Sequence, residues 1–240
     1  MPNAMQASRQ RYAGRRPDIY STAGLIRVQV VDDHPAVRRG LVQLLEEQPD
    51  LLVTAVAADA TGALAQVKRE SIDIAVVDYH LDGLNGLWLS QQMQRLRDPP
   101  RLVMYSAYAN DHLAASCVVA DVDAVLNKGG LGSELCDAIR AVAHGRRLLP
   151  SLPQPLADLL SRRLDDGELP IFGMLLAGIS RAEICQTMRI SEAELASRKV
   201  SMLRKLEALP GEADGRRPGR RRIGLERRRP QPRADAGLSM

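Results

Sequence analysis

The chain has 240 residues, 45% of them hydrophobic but only 3% aromatic, which suffices for an aliphatic core in one ordinary domain and a second small one. It has no run of about 18 apolar residues, and the first four Arg are not followed by the hydrophobic segment of a signal peptide. The sequence therefore predicts a soluble, cytoplasmic protein that does not enter membranes. The net charge is +4, and three widely separated cysteines exclude a disulfide framework and a zinc knuckle.

The positive charge is concentrated at the two ends of the chain. Residues 1–24 hold four Arg and one Asp, and residues 211–240 hold nine Arg and four acidic residues, whereas the stretch between them is mildly acidic. Both ends are rich in Arg, Pro, Gly and Ala and lack apolar periodicity, so we expect residues 1–24 and 210–240 to be disordered. A solubilising role is the simplest interpretation of the Arg-rich tail, with non-specific attraction to nucleic acid as the second.

Short β-branched runs alternate with amphipathic helical patterns between residues 25 and 146. This alternation predicts an α/β domain of (βα)5 type, with a parallel sheet covered by helices on both faces. The predicted strands are 26–31, 51–57, 74–77, 102–105 and 124–126, and the predicted helices are 36–46, 60–69, 86–95, 111–118 and 133–144.

A proline-rich segment separates this domain from the rest of the chain. Pro150, Pro153 and Pro155 fall within six residues, which predicts a semi-rigid linker over 147–163 because proline interrupts helices. An all-α domain is predicted to follow over 164–209.

Polar residues follow four of the five predicted strands. They are Asp32 and Asp33 after the first strand, Asp78 after the third, Ser106 after the fourth and Lys128 after the fifth. The carboxyl ends of parallel strands meet at one edge of the sheet, so we expect these side chains to converge there. Three carboxylates with open positions for water and phosphate suit Mg2+, and Asp78 would then be a nucleophile toward a phosphoryl group. Lys128 and Ser106 are the candidate donors to the phosphoryl oxygens.

Two other interpretations of these residues remain open. The acids could cap loops on an ordinary nucleotide-binding sheet, although no glycine-rich phosphate loop follows any predicted strand. Alternatively, His34 and His80 could join the carboxylates as imidazole ligands of a different metal ion.

Four segments in this order resemble the receiver domain of response regulators, especially the LuxR/NarL/FixJ group. The segments are VQVVDDHPAVRRGL (28–41), VVDYHLDGLNG (76–86), VMYSAY (103–108) and LNKGG (126–130). The resemblance implies a flavodoxin-like fold in which Asp78 is the phospho-acceptor. It further implies that Asp33 binds Mg2+ directly, Asp32 binds it through water, the His80 backbone carbonyl is the remaining ligand, and Lys128 and Ser106 are the lysine and the switch hydroxyl of the family.

The sequence departs from the receiver pattern at two positions. Val125 stands where the family usually has an aromatic switch residue, and Asp82 stands where it usually has proline. These changes leave the residues of the phosphorylation site in place. The family's usual coupling of the switch hydroxyl to an aromatic residue is not predicted for this chain, because Val125 replaces the aromatic residue.

The sequence of the C-terminal domain predicts three helices. Asp165 or Asp166 can cap the first, which carries Leu169, Phe172, Leu175 and Leu176 on one face and ends at Gly178. Ser180 with Glu183, and Ser191 with Glu194, have the spacing of capping boxes for helices over 181–188 and 192–206. Two capped helices joined by a short turn predict a helix-turn-helix.

The segments AGISRAEI (177–184), RIS (189–191) and MLRKL (202–206) resemble the LuxR-type DNA-binding domain. Glu194 and Ala196 depart from its pattern, and the fourth helix that often contributes to dimerisation is replaced by Pro210 and the Arg-rich tail. The residues expected to contact phosphates or base edges are Ser197, Arg198, Lys199, Arg204 and Lys205.

Together these features predict a non-enzymatic transcriptional regulator that a sensor histidine kinase phosphorylates and that binds double-stranded DNA, as a homodimer when active. A second hypothesis is a receiver-controlled adaptor whose helix-turn-helix binds protein, its charges forming only a solvated face. A phosphoryl-transferring enzyme is the third hypothesis, although no second catalytic group of residues is present.

Overall fold

The computed structural model describes residues 24–207. The predictions of disorder at the two ends therefore lie outside the described residues, apart from Gly24. In the described part, no helix combines the length and the apolar character that a membrane crossing requires.

Five parallel strands form one sheet in the order β2-β1-β3-β4-β5. Buried strands of a parallel sheet need apolar residues on both faces, and β3, with the sequence IAVV, is buried at every position. This topology confirms the predicted flavodoxin-like α/β fold. The strands are β1 (Ile26–Val31), β2 (Leu51–Ala57), β3 (Ile74–Val77), β4 (Arg101–Ser106) and β5 (Ala124–Asn127).

A helix follows each strand, within two residues of the predicted bounds. Asp59, Asn85 and Asn110 accept backbone N–H hydrogen bonds at the starts of the second, third and fourth helices, which fixes where those helices begin. The helices are α1 (Pro35–Glu46), α2 (Ala60–Val67), α3 (Gly86–Met93), α4 (Asp111–Val119) and α5 (Gly132–Ala143).

The sheet has a hydrophobic layer on each face. One layer joins β-strand residues to α1 and α5 through Leu41, Leu45, Leu135 and Ile139. The other layer lies under α2, α3 and α4 and continues without interruption into the C-terminal helices. The helical unit is therefore packed against the α4 side of the sheet.

Four more helices are present between the sheet domain and Glu207. They are α6 (Gln154–Ser161), α7 (Glu168–Leu176), α8 (Arg181–Met188) and α9 (Glu192–Glu207). Helix α6 falls inside the segment predicted as a linker. The prolines permit it because Pro153 precedes the helix and Pro155 lies in its first turn, where an N–H has no intrahelical acceptor.

The predicted ends of α7 and α8 are confirmed. Gly178 follows α7 with a φ of 70°, and Ser180 and Glu183 form a reciprocal capping box for α8. At the start of α9, the Ser191 hydroxyl accepts the Glu194 N–H, but the Glu194 carboxylate accepts a hydrogen bond from Arg198 instead of completing a capping box.

The four apolar side chains predicted on one face of α7 are buried to different extents. Phe172 and Leu175 are buried, whereas Leu169 and Leu176 are 39% and 42% exposed. Residues 169 and 176 are seven apart and share a face, and that face points away from the core.

Candidate functional site

Two acidic residues meet at the carboxyl edge of the sheet because their strands are neighbours. Asp32 follows β1 and Asp78 follows β3, and the Asp78 N–H donates to the carbonyl oxygen of Val31 at 2.8 Å. Both carboxylates are buried, at 1% and 4% exposure. Gly86 allows the loop after β3 to fold back here, since a Cβ at this position would overlap the Asp78 carbonyl oxygen.

The ammonium group of Lys128 lies between the two carboxylates. Its Nζ is 2.5 Å from Asp32 Oδ2 and 2.7 Å from Asp78 Oδ2. Lys128 reaches this position from the end of β5, and its own N–H donates to the Ser106 carbonyl oxygen at 2.9 Å. Lys128 and Asp32, which are 96 positions apart in sequence, are thereby brought into direct contact, as the strand-end pattern predicted.

Burial and the neighbouring charges have opposing effects on the pKa values of Asp78 and Lys128. Burial raises the pKa of Asp78 above its ordinary value, although the hydrogen bond and charge of Lys128 partly offset the increase and the charge of Asp32 adds to it. Burial also lowers the pKa of Lys128, but its bonds to Asp32 and Asp78 outweigh that effect and the net pKa is raised. The lysine therefore stays charged next to the carboxylates, and Asp78 is held in a site that favours a balancing cation.

Asp33 adds a third carboxylate to the edge. Its Oδ1 is buried and has no aligned hydrogen-bond donor among the described residues, although His34 Nδ1 contacts it. Ligand atoms of Asp32, Asp33, His34 and Asp78 all lie within 4.8 Å of one another. A cluster dominated by carboxylate oxygens, one of them without a donor, fits a hard divalent cation such as Mg2+.

Ser106 is fully buried beside this cluster. Its hydroxyl accepts the Tyr108 N–H at 3.2 Å. The structure thus brings Ser106 to the same edge as Asp78 and Lys128.

His80 lies at the outer margin of the site and is exposed. Its ring packs edge-on against Tyr79 and Tyr108, with ring centroids 4.6 Å and 5.6 Å apart. The hydrogen bond of its backbone N–H to the Asp78 carboxylate acts to lower the Asp78 pKa. Of the two histidines proposed as alternative ligands, His34 belongs to the carboxylate cluster, whereas the His80 ring packs edge-on against two tyrosines.

The α9 residues predicted to contact DNA differ in their hydrogen-bond partners and in their exposure. Arg198 donates to the Gly167 carbonyl oxygen at 3.0 Å and to Glu194 Oε1 at 2.7 Å, which ties α9 to the start of α7. Ser197 and Arg204 are exposed.

Lys205 is paired with a buried acid. Its Nζ is 2.5 Å from Glu168 Oε2 and 3.0 Å from Asp165 Oδ2, and Glu168 is 2% exposed. The sequence interpretation did not single out Glu168. The spacing Asp165-x-x-Glu168 was the available signal, since Asp165 also accepts the Glu168 N–H and the Asp165 N–H donates to the Glu168 carboxylate.

Lys199 contacts the sheet domain rather than solvent. It is 7% exposed, and its Nζ lies 2.5 Å from Oδ2 of Asp121, the second residue after α4. Asp121 has a φ of 57°, a left-handed conformation that Asp adopts more readily than most residues. No sequence pattern identified Asp121, because this pairing depends on how the two parts of the chain pack.

Further contacts hold the same interface together. Arg181 donates to the Gln94 carbonyl oxygen at 3.2 Å, and Asn85 donates to Glu207 Oε1 at 3.1 Å. Around these polar contacts, apolar side chains of α4, α7 and α9 belong to one hydrophobic cluster. Helix α9 is therefore packed along α4 in this structure.

Comparisons with known proteins agree with this architecture. Residues 28–140 match the family of the response regulator receiver domain. The chain is 29% identical over 194 residues to the DNA-binding transcriptional activator DevR/DosR of Mycobacterium tuberculosis, covering 76% of this chain and 88% of that protein. It is 28% identical over 196 residues to the transcriptional regulatory protein LiaR of Bacillus subtilis, covering 76% and 92% of the two chains.

Solved structures include one that is similar to part of the chain. It is a LuxR-family two-component response regulator from Aurantimonas sp. SI85-9A1, which is 28% identical, with a TM-score of 0.51, and covers 59% of this chain and 100% of that one. The family match, the relatives along three quarters of the chain and the acidic edge of the sheet lead to one conclusion: the chain contains a response regulator receiver domain and is similar over most of its length to transcriptional regulators.

Proposed function

We propose that this protein is a transcriptional regulator of a two-component system, phosphorylated on Asp78 by a sensor histidine kinase and binding DNA in response. The observation that carries the proposal is the contact of Lys128 with both Asp32 and Asp78 at the buried edge of the sheet. This arrangement supplies a nucleophile and a counter-charge at one point.

The proposed reaction transfers a phosphoryl group to an oxygen of Asp78. The Asp78 oxygen forms a bond to phosphorus as the bond from phosphorus to the kinase imidazole nitrogen breaks. Asp32, Asp33, Asp78 and the His80 carbonyl would hold Mg2+, which when bound neutralises charge on the phosphoryl oxygens. Lys128 keeps its charge and moves from the Asp78 carboxylate to a phosphoryl oxygen, and the Ser106 hydroxyl donates to another.

The proposed DNA-binding surface is the helix-turn-helix of α8 and α9. DevR/DosR is a DNA-binding activator by name, and its similarity covers 76% of this chain, which is more than the receiver domain occupies. Ser197 and Arg204 are exposed, so phosphates or base edges can reach them, and we assign Arg198, Lys199 and Lys205 to the same surface. We place the receiver domain at 25–146, the linker at 147–163 and the DNA-binding domain at 164–209.

The packing of α9 on α4 explains how phosphorylation would control binding. Lys199 cannot reach DNA while it is paired with Asp121 and covered by α4. Phosphorylation at the opposite end of β4 and β5 must therefore weaken this interface before the complete basic surface is available. The active form would be a homodimer on double-stranded DNA, in the cytoplasm where DNA and the kinase are both accessible.

The adaptor hypothesis is not favoured by the comparisons. The two relatives named above are described as transcriptional proteins, and their similarity is not confined to the receiver domain. An adaptor would need the same interface to open but would show no preference for any duplex.

The test is binding of the purified chain to DNA from upstream of its own gene and to a scrambled duplex, with and without an acyl phosphate donor and Mg2+. We expect phosphorylation to increase affinity for the upstream duplex, with a preference of at least about tenfold over the scrambled one. Equal binding to both duplexes in both states would contradict the proposal and favour the adaptor.

A further inference from the structure

Four hydrogen bonds hold Asp32 in the described part of the chain. Its N–H donates to the Ala57 carbonyl oxygen at 3.2 Å, and its Oδ1 accepts the His34 N–H at 2.8 Å. Its Oδ2 accepts from Lys128 Nζ at 2.5 Å, and its backbone carbonyl oxygen accepts from Arg38 Nη1 at 2.6 Å. The bond from Arg38 joins this edge of the sheet to helix α1.

Arg38 occupies a position that its helix alone would not favour. Its N–H donates to the His34 carbonyl oxygen at 3.0 Å in the first turn of α1, while its guanidinium extends back to residue 32, ahead of the helix. The helix dipole opposes a cation at this end. In the described chain, the His34 side chain makes no capping hydrogen bond and the first turn has no acidic residue to offset the charge. The favourable partner of Arg38 is therefore the loop before the helix.

The contact fixes a peptide unit that two acidic residues share. Because a peptide bond is planar, the Asp32 carbonyl that accepts from Arg38 and the Asp33 N–H turn together as one rigid unit. Both carboxylate oxygens of Asp32 have donors, whereas Asp33 Oδ1 is buried and lacks an aligned donor among the described residues. The direction of the Asp33 carboxylate therefore depends more strongly on its backbone.

We propose that Arg38 positions Asp33 for the divalent cation by fixing the orientation of the Asp32–Asp33 peptide unit. The inference rests on the proposed function, in which Asp33 is a ligand of Mg2+. Arg38 is a positioning residue, because it acts through the backbone and is not itself a ligand. Removing a group that orients a metal ligand in this way commonly weakens metal binding about 10- to 100-fold.

Arg38 can affect the cation in two ways that have opposite signs. As a nearby positive charge it would repel Mg2+, so its removal would tighten Mg2+ binding. As a positioning residue it holds the Asp33 carboxylate in place, so its removal would weaken Mg2+ binding. The direction of the change in Mg2+ affinity therefore distinguishes the two roles.

Calorimetric titration of the full chain with MgCl2 measures that direction. Arg38→Met keeps the length and the apolar part of the side chain but removes the donor, and we expect it to raise the Mg2+ dissociation constant about tenfold. Arg38→Lys should recover part of the affinity, because its ammonium can donate to the same carbonyl oxygen but lacks the planar fork of arginine. Arg39→Met, at the exposed neighbouring position, is the matched control that removes the same charge and should bind Mg2+ at least as tightly as the wild-type protein.

Two further measurements separate positioning from damage to the fold. In the metal-free protein, the His34 amide should exchange its hydrogen faster in Arg38→Met, because rotation of the preceding peptide unit weakens its bond to Asp32 Oδ1, while the amides of β1 stay protected. Half-maximal phosphorylation by an acyl phosphate should require about tenfold more Mg2+. The maximal rate at saturating Mg2+ should stay near the wild-type value, because Asp78 and Lys128 are intact.

Weaker Mg2+ binding in Arg38→Met, partial recovery in Arg38→Lys and no weakening in Arg39→Met would support the proposal. Unchanged or tighter binding in Arg38→Met, or equal weakening in both methionine variants, would overturn it. Loss of protection throughout β1 in Arg38→Met would also overturn it, because the contact would then serve the fold as a whole. A wild-type chain that binds no Mg2+ would contradict the proposed function together with the inference, so the two failures are distinguishable.

Discussion

The acidic edge of the sheet and the basic surface of α9 are the two chemically distinctive regions of this protein, and they differ in how their charges are used. At the sheet edge, Asp32, Asp78 and Lys128 are partners of one another within a single site. On α9, Lys199 and Lys205 are each paired with an acid from another segment of the chain. The charged groups of the sheet edge already contact one another in the folded protein. The lysines of α9 become available to another partner only after at least one pairing is broken.

The basic residues of α9 differ in what their pairings stabilise. Lys205 is bound to Glu168 within the helical unit, so its pairing stabilises that unit. Lys199 is bound to Asp121 of the sheet domain, so its pairing is one of the contacts that join the two parts. The second pairing joins the two parts of the chain, so we expect that it can break without unfolding either part.

The largest expected effect is at the sheet edge. Asp78→Asn should abolish phosphate incorporation from an acyl phosphate donor, because the amide keeps the shape of the side chain but is not a nucleophile. Radiolabelling with Mg2+ and after chelation measures this, and Asp82→Asn, in the same loop but exposed, is the control that should be labelled normally. Undiminished labelling of the Asp78→Asn variant would remove Asp78 from the mechanism.

A smaller effect is expected at two neighbouring basic residues of α9. Lys205 is paired with a buried acid, whereas Arg204 is exposed. Lys205→Ala should lower the free energy of unfolding by about 1–3 kcal/mol, since the buried Glu168 carboxylate loses its ammonium partner. Arg204→Ala should leave the stability unchanged and weaken DNA binding, because Arg204 is exposed. Urea denaturation and DNA titration of both variants distinguish these roles. The assignment would fail if Arg204→Ala were the more destabilising of the two.

The smallest effect concerns the tail. Deleting residues 211–240 removes nine Arg and four acidic residues. If some of these Arg contact phosphates, the slope of log affinity against log salt should flatten by about 0.9 for each lost contact. Preference for one duplex should survive, because the sequence of the tail lacks the apolar periodicity that would predict a helix able to hold a side chain against a base edge. Loss of that preference would assign sequence recognition to the tail.

Much of the sheet edge was predictable because strand order follows from general rules. Parallel strands with crossover helices bring strand ends to one edge, so Asp32, Asp78, Ser106 and Lys128 could be grouped from their positions alone. The buried run of β3 and the capping pattern at Ser180 are similarly local signals.

The interface between the two parts was not predictable in this way. The contact of Lys199 with Asp121 joins residues 78 positions apart and depends on the packing of α9 on α4. The partial exposure of Leu169 and Leu176 was not predictable either, because apolar residues at helical spacing do not show how much of a helix face the neighbouring elements cover. The helix in the linker was missed because proline within the first helical turn was treated as a break.

The most direct test of the account is the affinity of unphosphorylated Asp121→Asn for the preferred duplex. Asparagine tolerates the left-handed backbone of Asp121 but lacks the charge that holds Lys199, so the variant should bind more tightly than the unphosphorylated wild-type protein, by about tenfold. The increase should persist when Asp78→Asn is added, and Asp111→Asn, exposed at the start of α4, should not produce it. An affinity equal to that of the unphosphorylated wild-type protein would contradict the claim that the Asp121 contact restrains DNA binding.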